Sequence, residues 1–430
     1  MYDVLLISKE GDGLGVAHRL SQEGCRVKAW VRDPKMGRAL EGIIDRIDDW
    51  VPHLDSADLV ITDSVGLGRF ETQLKASGRP LLGCSSVLDK VELSRGLGMR
   101  LFDTAGIATP ETYEFNSCAA ADHLIQSQPW RSGWVLKPDG NKSASKTMVI
   151  KEEAHWPESL SKLSPDSSGI VQRRLDGIEV STEGWFNGTQ FVPPFNHTFE
   201  EKRFLAGGLG QNTGCMGNVV LAADQRGNAL THATVARLSG FLQQVGYRGP
   251  LDINCIVNEE GAFALEATSR MGYDAVEALA EGLTVPLSDF LYGIATGSAK
   301  ECPLTDQTMI AVRVSVPPWP VRQPDGDSHG ELVEGIDDET LPHLFLTDVY
   351  RDNEGYKTAA GDGVLLKATA KGPARRLEDD QLQDDYTYYC RSRVYRLLEK
   401  IKVSSKQYRI DIGQRVNKDM AKLKSLGWLE

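Results

Sequence analysis

Short apolar runs alternate with longer amphipathic stretches over the first part of the chain. This alternation predicts strands at 4–7, 26–31, 58–63 and 80–83, separated by helices. Because parallel sheets covered on both faces have this pattern, we expect an open α/β sheet. A glycine-rich turn at 11–15 precedes the first helix, where it can bind a phosphate or form a tight turn without a ligand. Asp63 lies at the carboxyl end of a strand, where such sheets place ligand-binding groups.

The pattern changes to hairpins in the middle of the chain. Further strands are predicted at 133–138, 148–150, 169–175, 178–181 and 190–192, and helices at 88–105, 231–245 and 274–296. A proline-rich stretch at 301–320 indicates a boundary. Beyond it we expect strands at 309–316 and 363–370 and a helix at 384–400. The chain is therefore predicted to be an α/β and α+β multidomain protein.

Composition narrows the classes of function. A length of 430 residues suggests two to four domains, and a net charge of −12 argues against nonspecific binding to nucleic acid or to anionic membranes. No apolar stretch reaches the 18 residues of a membrane span, and we expect no membrane partner. The seven cysteines are scattered without C-x-x-C pairs, which predicts reduced thiols and a cytoplasmic location.

The stretch from Leu265 to Asp274 carries the main candidate chemistry. An apolar run predicts a buried strand that ends in Glu266, with Thr268 on the same side and Arg270 beyond it. A predicted turn at 258–261 brings Asp252 beside Glu266. These oxygens can hold a hard cation near a triphosphate, although two solvated strand ends would have the same spacing.

Two loops could bind anions or simply face solvent. Lys137 ends a predicted strand and Lys146 follows a polar loop, so each can meet a phosphate charge or be solvated. The stretch 210–217 is too rich in glycine for a helix or a core. It therefore binds a ligand through backbone N–H groups or is merely flexible.

Four stretches together resemble the ATP-grasp ligases, and specifically the phosphoribosylamine–glycine ligase family. Lys202-Arg203 with 211–217 is similar to that family's Pro-Asn-Thr-Gly-Gly-Met-Gly signature, and 265–274 resembles its Glu-Phe-Asn-Cys-Arg-Phe-Gly-Asp. The stretches 175–179 and 409–413 resemble its nucleotide-site linker and its closing Arg-x-Asp-Ile-Gly. The order and the length agree over the whole chain.

The resemblance implies an architecture and a reaction. We expect an N-terminal open parallel-sheet (pre-ATP-grasp) domain at 1–87 and a two-lobed ATP-grasp fold at 88–300, with its small lobe at about 108–172. A small C-terminal α+β domain would occupy 301–430. The reaction would use ATP and Mg²⁺ (or Mn²⁺) to join glycine or another small amino acid to an amine through an acyl phosphate, as in purine biosynthesis. The family leans towards a monomer or dimer.

The resemblance also implies roles for individual residues. The nucleotide would contact Arg95, Lys137, Lys146, Gln172, Arg173, Arg174, Leu175 and Glu179. Metal ligands would be Glu266, Asp252 and Thr268, and catalytic groups Arg270, Glu266 and Lys146. Substrates would contact Lys202, Arg203, Asn212, Thr213, Gly214, Met216, Arg270 and Asp274.

Some positions depart from the family pattern. Thr268 stands where the family has a metal-binding asparagine, and the loop 141–146 is poor in glycine. The stretches 13–18 and 62–65 lack the residues that hold phosphoribosylamine in the family. Two alternatives therefore stay open: a specialised relative that uses a different amine, such as a modified nucleotide or natural-product precursor, and a catalytically inactive ATP-binding protein.

Overall fold

The N-terminal part of the chain is a five-stranded parallel sheet with the order β3-β2-β1-β4-β5. The computed structural model describes residues 1–130, 133–140, 147–321, 329–378 and 381–429. The strands are β1 (Asp3–Ser8), β2 (Arg26–Val31), β3 (Asp45–Arg46), β4 (Leu59–Thr62) and β5 (Leu81–Leu82). The helices are α1 (Leu14–Gln22), α2 (Glu71–Ala76), α3 (Ser86–Leu93) and α4 (Arg95–Thr104). Because β1 and β4 are buried on both faces, their sequences are continuous apolar runs, which confirms the predicted open sheet.

A four-stranded antiparallel sheet with the order β6-β9-β7-β8 follows. Its strands are β6 (Thr112–Phe115), β7 (Trp134–Pro138), β8 (Met148–Ile150) and β9 (Gly169–Arg173). Helices α5 (Cys118–Gln126) and α6 (Trp156–Ser161) belong to the same segment. Its core is separate and contains three buried aromatic side chains, those of Phe115, Trp134 and Trp156.

The largest element is an eight-stranded antiparallel sheet with the order β16-β15-β10-β11-β14-β17-β21-β18. Its strands are β10 (Ile178–Phe186), β11 (Phe191–Glu200), β14 (Gly217–Ala222), β15 (Gly249–Asn258), β16 (Gly261–Thr268), β17 (Thr308–Ser315), β18 (Leu344–Leu346) and β21 (Val364–Gly372). The sheet runs across residue 300, so strands on both sides of the predicted boundary pair directly: β14 with β17.

Short hairpins and helices complete the fold. The hairpins are β12 (Arg203–Leu205) with β13 (Leu209–Asn212), β19 (Val349–Asp352) with β20 (Gly355–Thr358), and β22 (Arg375–Glu378) with β23 (Gln381–Asp384). The helices are α7 (Ala229–Ala233), α8 (Ser239–Gln244), α9 (Ala275–Gly282), α10 (Leu287–Thr296), α11 (Tyr388–Lys400) and α12 (Val416–Ser425). Among the described residues no helix is both long and apolar enough to cross a membrane, and all seven cysteines are free.

Three predicted helices are each broken in two. The one at 88–105 breaks at Ser94, whose backbone is extended at φ −103° and ψ 105°. The backbone N–H of the next residue, Arg95, donates to Asp139 Oδ1 at 2.7 Å, so a contact from the four-stranded sheet replaces a helical one. The stretch 274–296 breaks before α10 because Pro286 disfavours a helical conformation in the residue before it. At 231–245 the break is at Thr234, which is also non-helical.

The closing motif at 409–413 ties the C-terminus to the hairpin β12–β13. Arg409, which is 2% exposed, donates to both oxygens of Asp411 at 2.8 and 2.7 Å and to the carbonyl of Arg203 at 3.0 Å. Glu201 pairs with the same guanidinium at 3.2 Å, and Asp411 Oδ2 accepts the N–H of Gly207 at 2.8 Å. The motif therefore orders the loop that contains two of the candidate substrate residues.

We expect Arg409→Met to lower the free energy of unfolding by about 3–5 kcal/mol, because it leaves Asp411 without its buried partner and leaves Glu201 with Arg415 alone. Urea unfolding followed by circular dichroism measures the effect. The matched control is Arg375→Met, which removes an exposed ion pair with Asp384 and should cost about 0–1 kcal/mol. If both variants lost the same free energy of unfolding, the closing motif would contribute no more to stability than a surface ion pair does.

Candidate functional site

Glu266 lies where the four-stranded and eight-stranded sheets meet. Lys137, at the end of β7, donates from Nζ to the carbonyl of Leu265 on β16 at 3.3 Å. Arg95, the first residue of α4, donates from Nη1 to Glu266 Oε2 at 2.7 Å. The break at Ser94 places Arg95 at the start of its own helix, and three elements thus converge on one carboxylate.

A second carboxylate, Glu179 of β10, extends this cluster. Lys202, just after β11, approaches Glu179 Oε1 at 2.7 Å, and Asn254 Nδ2 donates to the same oxygen at 3.3 Å. The lysine charge holds the pKa of Glu179 below its usual value. Lys202 was expected at a substrate, but the structure places it among the residues expected at the nucleotide. The Glu266 cluster, as we call it, consists of Arg95, Lys137, Glu179, Lys202, Asn254 and Glu266.

The cations of this cluster control the protonation of Glu266. Burial alone would raise its pKa, but Arg95, Lys202 and Lys137 outweigh burial and lower the pKa to about 2. Burial lowers the pKa of Lys137 to about 8, although Glu266 acts in the opposite direction. The cluster therefore holds an ionised carboxylate and cations that can face an anionic ligand.

The oxygens beside Glu266 fit a hard cation. In the β15–β16 pairing Asn254 is opposite Glu266 and Asp252 is opposite Thr268. The Oδ1 atoms of Asp252 and Asn254 are buried and lack a hydrogen-bond partner among the described residues. Unpaired oxygens next to a carboxylate match the ligands that Mg²⁺ prefers. Within the described ranges no three His, Cys, Asp or Glu side chains could hold a metal ion by themselves, so water or phosphate oxygens would complete the coordination.

Four of the residues expected at the nucleotide, at 172–175, lie at the end of β9 and just beyond it. Gln172 is buried, and its Nε2 donates to Thr112 Oγ1 at 3.0 Å. Arg173 approaches Glu260 at 3.5 Å, Arg174 donates to Asp176, and Leu175 is half-buried in the connection to β10. Lys146 was expected at the triphosphate and lies outside the described residues.

Arg270 lies just beyond the end of β16 and belongs to a separate group of contacts. Its Nε donates to Glu92 Oε1 at 3.1 Å, and its guanidinium lies 4.3 Å from the centre of the Tyr273 ring. Asp274 is buried with φ at +60°, and Arg313 of β17 donates to both of its carboxylate oxygens at distances down to 2.7 Å. The ion pair with Arg313 holds Asp274 in a left-handed conformation that non-glycine residues adopt uncommonly.

The loop expected to hold a substrate lies beside this group. Asn212 is exposed and pairs with Arg203 across the β12–β13 hairpin, whereas Thr213 Oγ1 donates to the carbonyl of Lys202 at 2.9 Å. A Cβ atom on Gly214 would lie 3.4 Å from the Tyr273 ring. Met216 is fully buried and packs in the main core. Two of these residues adjoin the surroundings of Arg270: Gly214 lies beside the Tyr273 ring, and the carbonyl of Met216 accepts the backbone N–H of Arg313 at 3.1 Å.

Sequence reasoning missed Glu92, Arg313 and Lys367. Arg313 and Lys367 occur within strands whose other residues are almost all buried, and a charge in such a run is a signal of a buried ion pair. Glu92 lies near the end of α3 and carries no comparable signal. Its role depends on the way α3 packs against β16, and only the tertiary structure shows that.

Comparison with known proteins finds similar chains and similar solved structures. Residues 94–274 match the model of the phosphoribosylglycinamide synthetase ATP-grasp (A) domain. The phosphoribosylamine–glycine ligase of Leifsonia xyli is 25% identical over 355 residues, covering 80% of each chain. That of Mycobacterium leprae is 27% identical, covering 79% of this chain and 78% of the relative. The solved structure of the same enzyme from Thermotoga maritima superposes with a TM-score of 0.71 at 18% identity, over 96% of this chain and all of that one. The chain is thus an ATP-grasp ligase that resembles the phosphoribosylamine–glycine ligases.

Proposed function

We propose that the chain is an ATP- and Mg²⁺-dependent carboxylate–amine ligase that activates glycine or another small amino acid as an acyl phosphate. The Glu266 cluster carries this proposal, because it combines two carboxylates, Glu266 and Glu179, with three cations at the junction of two sheets, beside the unpaired Oδ1 atoms of Asp252 and Asn254. A triphosphate has the charge that such a set of groups would bind.

The nucleotide would lie between the two sheets. Arg95, Lys137 and Lys202 would offset the phosphate charge, and Glu179 would accept the ribose hydroxyls once Lys202 moves to a phosphate. Glu266 with the Oδ1 atoms of Asp252 and Asn254 would hold Mg²⁺, which supplies charge neutralisation for the transferred phosphoryl group. Thr268, opposite Asp252, is a weaker candidate ligand because a neutral hydroxyl binds Mg²⁺ less well than a carboxylate.

The amino-acid carboxylate would attack the γ-phosphorus as ADP leaves, forming an acyl phosphate. An amine would then attack the carbonyl carbon, forming the C–N bond and releasing phosphate. Arg270 is the candidate clamp for the carboxylate, since its planar guanidinium can donate two parallel hydrogen bonds. Its present partner Glu92 and the Tyr273 ring hold the guanidinium in place beside β16.

Two acceptors are open for the amine. Phosphoribosylamine is the one named for the relatives, whereas the departures from the family pattern at 13–18 and 62–65 leave a different amine open. The remaining alternative, an inactive ATP-binding protein, has no observation in its favour. An inactive protein would also not need the arrangement of Glu266 with three cations that the structure shows.

The ligase proposal is tested without knowing the amine. We expect hydroxylamine to trap the acyl phosphate, so ATP and glycine should yield a hydroxamate together with an equal amount of ADP. Other small amino acids are tested in parallel, and omission of Mg²⁺ should abolish the product. Absence of hydroxamate with every amino acid, in a protein that still binds ATP, would instead identify an inactive binder.

Glu266→Gln should lower the rate of hydroxamate formation by at least about 100-fold, because it removes the charge that would hold the metal beside the transferred phosphoryl group. Glu259→Gln is the matched control in the exposed turn of the same hairpin and should keep the normal rate. A normal rate in Glu266→Gln would remove this residue from the site.

ADP affinity should depend on pH through Lys137. Because its pKa is about 8 before ligand binds, the lysine is charged below pH 8 and loses its charge as the pH rises. The affinity for metal-free ADP should therefore decline above pH 8, approaching about tenfold per pH unit. Calorimetry between pH 7 and 9.5 measures it. The Lys137→Arg protein keeps its charge and should show a much shallower decline, whereas parallel declines would place the titrating group elsewhere.

A further inference from the structure

A cavity of about 190 Å³ lies between the eight-stranded sheet and α12, and we call it the α12 cavity. His197 of β11 lines it and contacts Thr182 of β10. Side chains alternate between the two faces of a strand, so Thr182 points away from the face of Ser181, which is opposite Asn254 of the Glu266 cluster. The α12 cavity is therefore separate from the candidate ligase site, on the other face of the sheet.

The walls of the α12 cavity are apolar. Leu221 of β14, Met420 of α12 and Leu429 line it and are each at most 9% exposed. The short side chains of Ala222 and Ala223 complete the same wall. An apolar cavity of about 150 Å³ holds one benzene molecule, so these walls and this volume fit a ligand that contains one six-membered ring.

The buried end of the cavity carries an unpaired hydroxyl. Thr308, the first residue of β17, lines the cavity and is 1% exposed, and its Oγ1 atom has no hydrogen-bond partner among the described residues. His197 is already paired, since Nδ1 lies 3.1 Å from Thr182 Oγ1 and Nε2 lies 2.7 Å from Asn228 Nδ2. A buried hydroxyl without a partner is costly, so a ligand that places a polar atom beside Thr308 is favoured over a purely apolar one.

Charged side chains lie at the open end of the cavity. Asp224, Asp306 and Lys424 line it and are exposed. Within the described part of the chain, neither Asp306 nor Lys424 forms an ion pair, and Lys424 Nζ instead lies 6.0 Å from the centre of the Tyr386 ring. Opposite charges that line one cavity without pairing can bind the two charged groups of a zwitterion.

The balance of these charges discriminates between classes of ligand. A phosphate ester or a dicarboxylate would meet two carboxylates and only one ammonium group. A simple amine would place its own positive charge near that of Lys424. An α-amino acid carries an ammonium and a carboxylate on one carbon atom, so it can pair with both kinds of side chain. The ring-sized apolar walls and the Thr308 hydroxyl then favour a phenol as its side chain.

We propose that the α12 cavity binds a free α-amino acid with a hydroxyphenyl side chain. The ammonium group would donate to Asp224 and Asp306, and the carboxylate would accept from Lys424. The ring would occupy the apolar part of the cavity, and its hydroxyl would form a hydrogen bond with Thr308 Oγ1. The site goes beyond the ligase function above, because a ligand bound there cannot reach the Glu266 cluster through the sheet.

Four ligands of similar size test the proposed contacts. The probe is L-tyrosine, compared with L-phenylalanine, which lacks the hydroxyl, tyramine, which lacks the carboxylate, and N-acetyl-L-tyrosine, which lacks the ammonium. Titrations followed by saturation-transfer NMR measure Kd. Relative to L-tyrosine, Kd should rise at least about fivefold for phenylalanine and at least about tenfold for the other two. Equal affinities for all four ligands, or no binding of L-tyrosine up to its solubility, would overturn the proposal.

Variants assign the contacts to residues. Thr308→Val keeps the branched shape and should abolish the preference for tyrosine over phenylalanine. Lys424→Met should raise the Kd of tyrosine at least about tenfold without weakening the binding of tyramine, which has no carboxylate. Lys422→Met is the matched control, because Lys422 lies on the same helix but pairs with Glu259, and it should change neither Kd. A full preference for tyrosine in Thr308→Val would show that the hydroxyl lies elsewhere and would overturn the proposal.

A last variant separates this site from the ligase site. Arg270→Gln alters the candidate carboxylate clamp and should leave the Kd of tyrosine unchanged. Loss of tyrosine binding in Arg270→Gln, with normal binding in Lys424→Met, would place the amino acid at the ligase site and overturn the proposal. These are binding measurements, so a failure to form hydroxamate would overturn the ligase function alone.

Discussion

The contact between Arg95 and Glu266 is the interaction on which the candidate site depends. It joins the start of α4 to the end of β16. Lys137 joins β7 to the same strand through the carbonyl of Leu265. Without these contacts no charged side chain of the four-stranded sheet or of α4 would be held beside Glu266. A carboxylate whose pKa is held near 2 by three cations can remain ionised while half-buried, which is the condition for binding a metal ion and a triphosphate together.

The sequence predicted the elements whose pattern is local and missed those that depend on distant partners. The open sheet was predictable because β1 and β4 are buried on both faces and read as apolar runs. The β15–β16 hairpin was predictable from its turn, but its register was not: Asn254, rather than the expected Asp252, lies opposite Glu266, and Asp252 lies opposite Thr268. The break at Ser94 was not predictable, because this residue leaves the helix for a contact that forms only in the folded protein, where Asp139 accepts the next N–H.

The same distinction applies to the charges. Lys202 and Glu179 occur in separate motifs, and nothing in their spacing shows that their side chains meet at 2.7 Å. Asp63 was recognisable as a group at the end of a strand, but its capture of the Gly13 N–H requires the parallel pairing of β1 with β4. That pairing converts a possible phosphate site into an acidic one, and it does so 50 residues away from the glycine-rich turn.

The continuity of the eight-stranded sheet has a consequence for how this protein can be divided. Strands β17, β21 and β18 follow residue 300, yet they complete a sheet that begins with β16, and β17 supplies the arginine that fixes Asp274. A fragment that ended at residue 300 would expose the hydrogen-bonding edge of β14 and leave a buried aspartate unpaired. The last third of the chain is therefore not an independent domain that could be exchanged for another. A cut inside the sheet would therefore also disrupt the contacts around Arg270 and Asp274.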